Sequence, residues 1–197
     1  EGIDCLDIYL NQTISDKPET PILSFPYSIF DVDTQPDKKL PMIFGVSGPK
    51  NKFPIYEYFT QKYAIDRSSF KSVVHKSCYI AKSSVVGNGC FLEQNVTISS
   101  QTKLGFGVTV KRGVLIGHHD VIDDFVDINP GAIIAGRVSI GKGAVIGAGA
   151  ILIDRVKIGE NSFVGAGSVV TKDIPAGVIA YGNPCRVIQE NLEWKID

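Results

Sequence analysis

Residues 128–170 read INPGAIIAGRVSIGKGAVIGAGAILIDRVKIGENSFVGAGSVV, and an aliphatic residue returns at every sixth place: Ile128, Ile134, Ile140, Ile146, Leu152, Ile158, Val164 and Val170. The series runs backwards without a slip through Ile122, Ile116, Val110, Leu104, Ile98, Leu92, Val86, Ile80 and Val74. Two places before its members stand mostly small or β-branched residues, among them Ser72, Cys78, Ser84, Cys90, Thr102, Val126, Ala132, Val138 and Ala144. Glycine often follows the aliphatic residue, as at Gly117, Gly141 and Gly147. A period of six is not helical, because a 3.6-residue turn would scatter these side chains around the axis. It predicts short strands separated by tight turns. Three strands would close a triangular coil, with roughly five coils in the segment and the aliphatic side chains stacked inward in columns. Burial of those columns drives the fold. A two-sheet sandwich does not hold such a hexad through every turn. The predicted class is mainly β, a parallel β-helix over 69–172.

The flanks have a different grammar. Residues 3–10, 21–25 and 40–46 read as strands and 51–63 as a helix, which predicts a small α/β domain over 1–68. Residues 34–40, with Pro36 and the paired Lys38 and Lys39, read as a solvated loop. After Val170 the repeat ends, and residues 173–197 are expected to cover the last coil, with a short helix running through Trp194. An uncovered coil end would template aggregation.

The 197 residues carry a formal charge of -1, which excludes the basic field that drives nucleic-acid binding. No apolar run approaches the roughly 20 residues of a bilayer span, and no secretory signal opens the chain, so a cytoplasmic location is expected. Cys5, Cys78, Cys90 and Cys185 form no C-x-x-C pair and read as free thiols. A strand opening almost at Glu1 reads as a processed or truncated start.

Four ordered segments carry a resemblance: Gly117-His118-His119-Asp120-Val121-Ile122, Asp127-Ile128-Asn129-Pro130-Gly131-Ala132, Gly165-Ala166-Gly167-Ser168-Val169-Val170-Thr171-Lys172-Asp173, and Gly182-Asn183-Pro184-Cys185. Together they resemble the hexapeptide-repeat sugar acyltransferases, of the sialic acid O-acetyltransferase and nucleotide-amino-sugar N-acetyltransferase type. The resemblance implies a left-handed helix, an exception to the right-handed rule for parallel crossovers. It also implies a homotrimer, acetyl-CoA as acyl donor in the groove between subunits, no metal, and a nucleotide-linked sugar held by the N-terminal domain.

Residue by residue, the resemblance places the general base on His118 and its orienting partner, usually acidic, on His119. A second imidazole does not fix a tautomer as a carboxylate does. Asp120 is therefore expected to share the catalytic role, although its place in the repeat points inward, where an ionised carboxylate is costly unless paired. Cofactor contacts fall on Asp127, Gly136, Ala148 and Ala166, with Lys172 and Arg186 toward the phosphates. Substrate contacts fall on Asn11 and Gln12. The expected reaction is direct transfer to a sugar amine, with a backbone N–H near Gly136 at the oxyanion. Sugar O-acetylation and a non-catalytic β-helix scaffold stand as alternatives. A zinc-dependent γ-type carbonic anhydrase needs three converging histidines, and His75, His118 and His119 are not spaced for that.

Overall fold

A computed structural model describes residues 6–9, 27–30 and 33–196. Among them, seventeen two-residue strands run from Val73–Val74 to Val169–Val170, each with a residue of the aliphatic series at its second place. They stack as three parallel sheets, the faces of a left-handed β-helix. The first face includes Thr109–Val110, Asp127–Ile128 and Val145–Ile146. The second includes Leu115–Ile116, Ile133–Ile134 and Ile151–Leu152. The third includes Lys103–Leu104, Val121–Ile122 and Ser139–Ile140.

Successive coils are in exact eighteen-residue register, so Leu115 lies against Ile133 and Ile116 against Ile134. Backbone bonds such as Leu115 N–H to Ala132 O (3.0 Å) and Gly117 N–H to Ile134 O (2.9 Å) tie them. From Leu92 to Val170 the stacked aliphatic residues are almost wholly buried, each worth about 1.5–3 kcal/mol of hydrophobic stabilisation, whereas Ile80 and Val86 are partly buried and Val74 is exposed.

Interior polar side chains staple one coil to the next by a repeated device. The Ser72 hydroxyl donates to Gly87 O (2.7 Å) and accepts from Cys90 N–H (3.0 Å). Ser84 bonds Ser99 O (2.6 Å) and Thr102 N–H (3.0 Å) in the same way. Thr102 does so with Gly117 O (2.8 Å) and Asp120 N–H (3.2 Å). Each reaches the carbonyl fifteen residues on and the amide eighteen residues on, one donor and one acceptor satisfied per hydroxyl.

Each coil turns three corners, and a left-handed backbone conformation recurs in register at each. At the corner between the first and second faces it falls on Gly113, Gly131, Gly149 and Gly167. Between the second and third faces it falls on Gln101, His119, Arg137 and Arg155, with φ of 58°, 61°, 59° and 65°. At the left-handed place that corner carries a side chain in each of these coils, where its counterpart carries one only at Asn95.

The N-terminal helix, Pro49–Tyr63, begins two residues before the predicted 51–63 because Pro49 suits the first helical turn, where no amide donor is needed. It packs on the β-helix through aromatic rings, Phe53 against Phe125 (5.4 Å between centroids) and Tyr56 against Phe106 (5.1 Å). Lys52, 1% exposed, is driven into this interface, where Nζ donates to Thr109 Oγ1 (2.6 Å) and Gly107 O (2.9 Å).

Leu6–Tyr9 pairs in parallel with Tyr27–Phe30. The strand expected over 21–25 lies outside the described residues. The one expected over 40–46 does not form: Met42 makes a single bridge to Phe70, and Phe44 turns into the aromatic cluster, stacking on Phe70 at 4.5 Å. Pro41 also withholds an amide from any ladder there.

The tail covers the last coil with strands instead. Val178–Gly182 extends the first face beside Phe163–Val164 and doubles back with Cys185–Glu190. The helix expected through Trp194 is replaced by an open segment running along the corner between the third and first faces. Trp194 Nε1 donates to Gly143 O (2.9 Å), and Asn191 Nδ2 to Asn161 O (2.8 Å). Extended backbone lets these side chains satisfy corner carbonyls that a helix would leave facing away.

Candidate active site

The corner between the second and third faces gathers chemistry because of the eighteen-residue register. One column there holds Ser100, His118, Gly136, Asp154 and Lys172, and its neighbour holds Gln101, His119, Arg137, Arg155 and Asp173. The columns are tied by Arg137 N–H to His118 O (2.8 Å) and Arg155 N–H to Gly136 O (3.0 Å).

His118 is half-buried, and its Nδ1 lies 2.9 Å from Nδ1 of His119. Two nitrogens at that distance share one proton. If His118 holds it, His119 Nδ1 accepts, and the Nε2 of His118 is left with a free lone pair. That nitrogen faces Gly136: a Cβ there would stand 2.7 Å from it. The same point lies 3.1 Å from Asp154 Oδ1. Glycine thus keeps open a gap flanked by a base from the coil before and a carboxylate from the coil after. Asp154 also accepts from Arg155 Nε (3.0 Å).

Asp120 does not stand beside the imidazoles, which corrects the expectation that it shares the catalytic role. Its side chain is wholly buried in the β-helix, where Oδ1 accepts from Val138 N–H (2.8 Å) and Oδ2 has no partner. The alternation of inward and outward side chains leaves it no choice. Burial pushes its carboxyl up to about 7; the Val138 N–H opposes this and the charge of Asp154 adds to it.

Asp127, which the resemblance places in the cofactor set, lies on the first face, away from the corner of His118. It is buried, 3.3 Å from Lys111 Nζ, and lies beneath Gly48 at the start of the helix. Burial raises its pKa, against the pull of Lys111 and Lys52. Lys111 bonds its Oδ2, and Oδ1 is buried without a hydrogen-bond partner among the described residues.

Ala148 and Ala166 are exposed at the far corner of the second face, with Gly167 N–H bonded to Ala148 O (2.8 Å). Lys172 and Arg186 line one shallow depression of about 210 Å³, with Asp173, Ile174, Cys185 and Val187. Asn11 and Gln12 lie outside the described residues. Cys78 and Cys90 donate inward to Glu93 O (3.0 Å) and Gly105 O (3.2 Å), and burial raises the Cys90 and Cys185 thiols. None is set up as a thiolate nucleophile.

Sequence reasoning missed Asp154, Arg137 and Arg155. Counting two coils on from His118 would have found Asp154. Among the described residues no cluster of three or more His, Cys, Asp or Glu side chains is arranged to hold a metal ion, and no helix is long and apolar enough to cross a membrane.

Residues 137–172 match the bacterial transferase hexapeptide model of six repeats. No curated protein matches the chain. Solved structures do. A variant of perosamine N-acetyltransferase from Caulobacter crescentus, in complex with CoA and GDP-perosamine, is 23% identical, with 84% of this chain and 87% of that one covered at a TM-score of 0.68. The acetyltransferase domain of PglB from Neisseria gonorrhoeae FA1090, in complex with acetyl coenzyme A, is 20% identical, with 95% and 100% covered at 0.70. WeeI from Acinetobacter baumannii AYE is 25% identical, with 86% and 81% covered at 0.75.

Proposed function

We propose that this hexapeptide-repeat chain transfers an acetyl group from acetyl-CoA to a sugar, with the amine of a nucleotide-linked amino sugar as acceptor and His118 as general base. The observation that carries the reading is the gap over Gly136, where His118 Nε2 and Asp154 Oδ1 converge. It is supported by the likeness to acetyltransferases bound to CoA, acetyl-CoA and GDP-perosamine.

In the proposed step the acceptor nitrogen attacks the thioester carbonyl and His118 Nε2 takes its proton. Nδ1–H of His118 is held by His119, which fixes the tautomer. The Gly136 N–H meets the developing oxyanion. The C–S bond then breaks, and the thiolate of CoA recovers the proton from His118. Asp154 draws a cationic amine into the site, where it gives up one proton to solvent before it attacks as the neutral amine; this favours an amino over a hydroxyl acceptor.

The donor's pantetheine arm would lie along the second face, from Gly136 toward Ala148 and Ala166, where small exposed residues allow close backbone approach. Lys172 and Arg186 would meet its phosphates. The second face also exposes Tyr79, Leu115, Ile133 and Ile151 in one row, a surface suited to association as a homotrimer. Residues 1–68, with Asn11 and Gln12, would hold the sugar nucleotide, in a cytoplasmic enzyme.

Thiol release from acetyl-CoA, measured against nucleotide-linked amino sugars and free sialic acid, tests the reading. Turnover with an amino sugar that falls about 10²–10⁴-fold in His118→Ala is the expected result. Turnover on sialic acid alone would make it an O-acetyltransferase. Neither turnover nor acetyl-CoA binding would leave a scaffold.

A further inference from the structure

Each hydroxyl of the interior staple at Ser72, Ser84 and Thr102 makes two bonds, and Asp120 makes only one. Ser72, Ser84 and Thr102 each accept from the amide eighteen residues on and donate to the carbonyl fifteen residues on. Asp120 follows Thr102 in the same column and accepts from its eighteenth-residue amide, Val138 N–H. The carbonyl fifteen residues on is Ala135 O. It has no hydrogen-bond donor among the described residues, while Oδ2 of Asp120 is buried without a partner. Two acceptors are left facing one another's place in the pattern, and a single proton would satisfy both.

We propose that Asp120 is a neutral carboxylic acid whose Oδ2–H donates to Ala135 O, and that it thereby positions the peptide between Ala135 and Gly136 beneath His118. In a planar trans peptide the carbonyl and the following N–H point in opposite directions. Drawing Ala135 O inward therefore turns the Gly136 N–H outward, and that amide has no other partner among the described residues. Asp120 is thus a positioning residue for the oxyanion donor; this part of the inference rests on the acetyltransfer reading.

The surrounding charges agree with a neutral acid. No basic side chain reaches the carboxyl from the interior: its coil neighbours Thr102 and Val138 are uncharged, His118, His119, Arg137 and Arg155 belong to the outer corner, and the nearest charge felt is the negative one of Asp154. Burial and Asp154 favour the protonated form, and together they outweigh the backbone amides of Val138 and Gly117, which favour the ionised one.

The test compares Asp120→Asn, Asp120→Thr and Asp120→Val in the full chain. Asparagine and threonine can each donate to Ala135 O and accept from Val138 N–H; valine fills the space and does neither. Asparagine and threonine are expected to keep kcat within about threefold, and valine to lose about 10²-fold with the acetyl-CoA KM little changed. Difference infrared spectra near neutral pH should show a protonated-carboxyl band in the parent that all three variants lack. The wild type should also lose melting temperature as pH rises from about 4 to about 7, a slope absent in Asp120→Asn. Absence of the band, or an identical pH slope in the asparagine variant, overturns the neutral acid. Should no form of the protein transfer an acyl group, the functional reading fails separately. The Gly136 amide resonance then decides the positioning role, which is sunk if it does not move in Asp120→Val.

Discussion

His118 and Asp154 come from turns two coils apart, yet both reach the one point where a Cβ on Gly136 would stand, at 2.7 Å from Nε2 and 3.1 Å from Oδ1. A solenoid makes such meetings cheap. Eighteen residues of separation become one strand spacing, so a column of corner residues is a column of neighbours.

Gly136 is the residue on which that meeting depends. Its φ is not in the left-handed region, so alanine is conformationally allowed there, and any effect is one of volume. Gly136→Ala should leave the unfolding free energy within about 1 kcal/mol while displacing the His118 ring, with a loss of about 10²-fold or more in kcat. Steady-state kinetics beside urea unfolding checks it. Equal losses of stability and activity would show the glycine to be a packing residue only.

Asp154→Asn preserves shape and removes charge. At a separation of a few ångströms on a half-exposed corner, the interaction of unit charges is about 1–3 kcal/mol, and kcat/KM for an amino-sugar acceptor should fall about tenfold. A hydroxyl acceptor of similar shape should lose much less. Paired measurement of the two acceptors gives the answer, and equal losses would remove Asp154 from acceptor recognition.

Lys52 predicts a stability effect far from the site. Lys52→Met strips the donor from Thr109 Oγ1 and Gly107 O and withdraws a positive charge from the field around buried Asp127. The cost should be about 2–4 kcal/mol in urea unfolding. Burial pulls the Lys52 ammonium down to about 8 from an unfolded value of 10.5. Between those pH values the unfolded chain binds the extra proton, so the wild type should gain stability as pH rises through that window. Lys52→Met should not.

The hexad made the β-helix legible because it repeats without interruption from Val74 to Val170, and burial follows it from Leu92 onward. The flanks were read less well for the opposite reason. Nothing local in residues 40–46 says that Phe44 will leave a strand for an aromatic cluster built largely by Phe70, Phe106 and Phe125. The tail gave strands and an open run in place of a helix because its partners, Asn161 and Gly143, lie tens of residues away. At the site, His118 and Gly136 were found by motif. Asp154 is not legible beside His118 because it is a neighbour only through the column, two coils and 36 positions on. The inward place of Asp120 followed from the repeat; its exclusion from the histidines needed coordinates, as did the covering of Asp127 by the helix.

The tail's path has a consequence for how the molecule is completed. A solenoid can add coils one at a time as the chain emerges, each resting on the last. Here the final residues run back over coils made earlier, and Glu193 closes on Lys50 at 2.9 Å, across 143 positions of sequence. Unravelling from the C-terminal side must therefore free Ile196 from Asn161 and Trp194 from Gly143 before it reaches that ion pair, which ties the tail to the N-terminal helix of an otherwise nearest-neighbour structure.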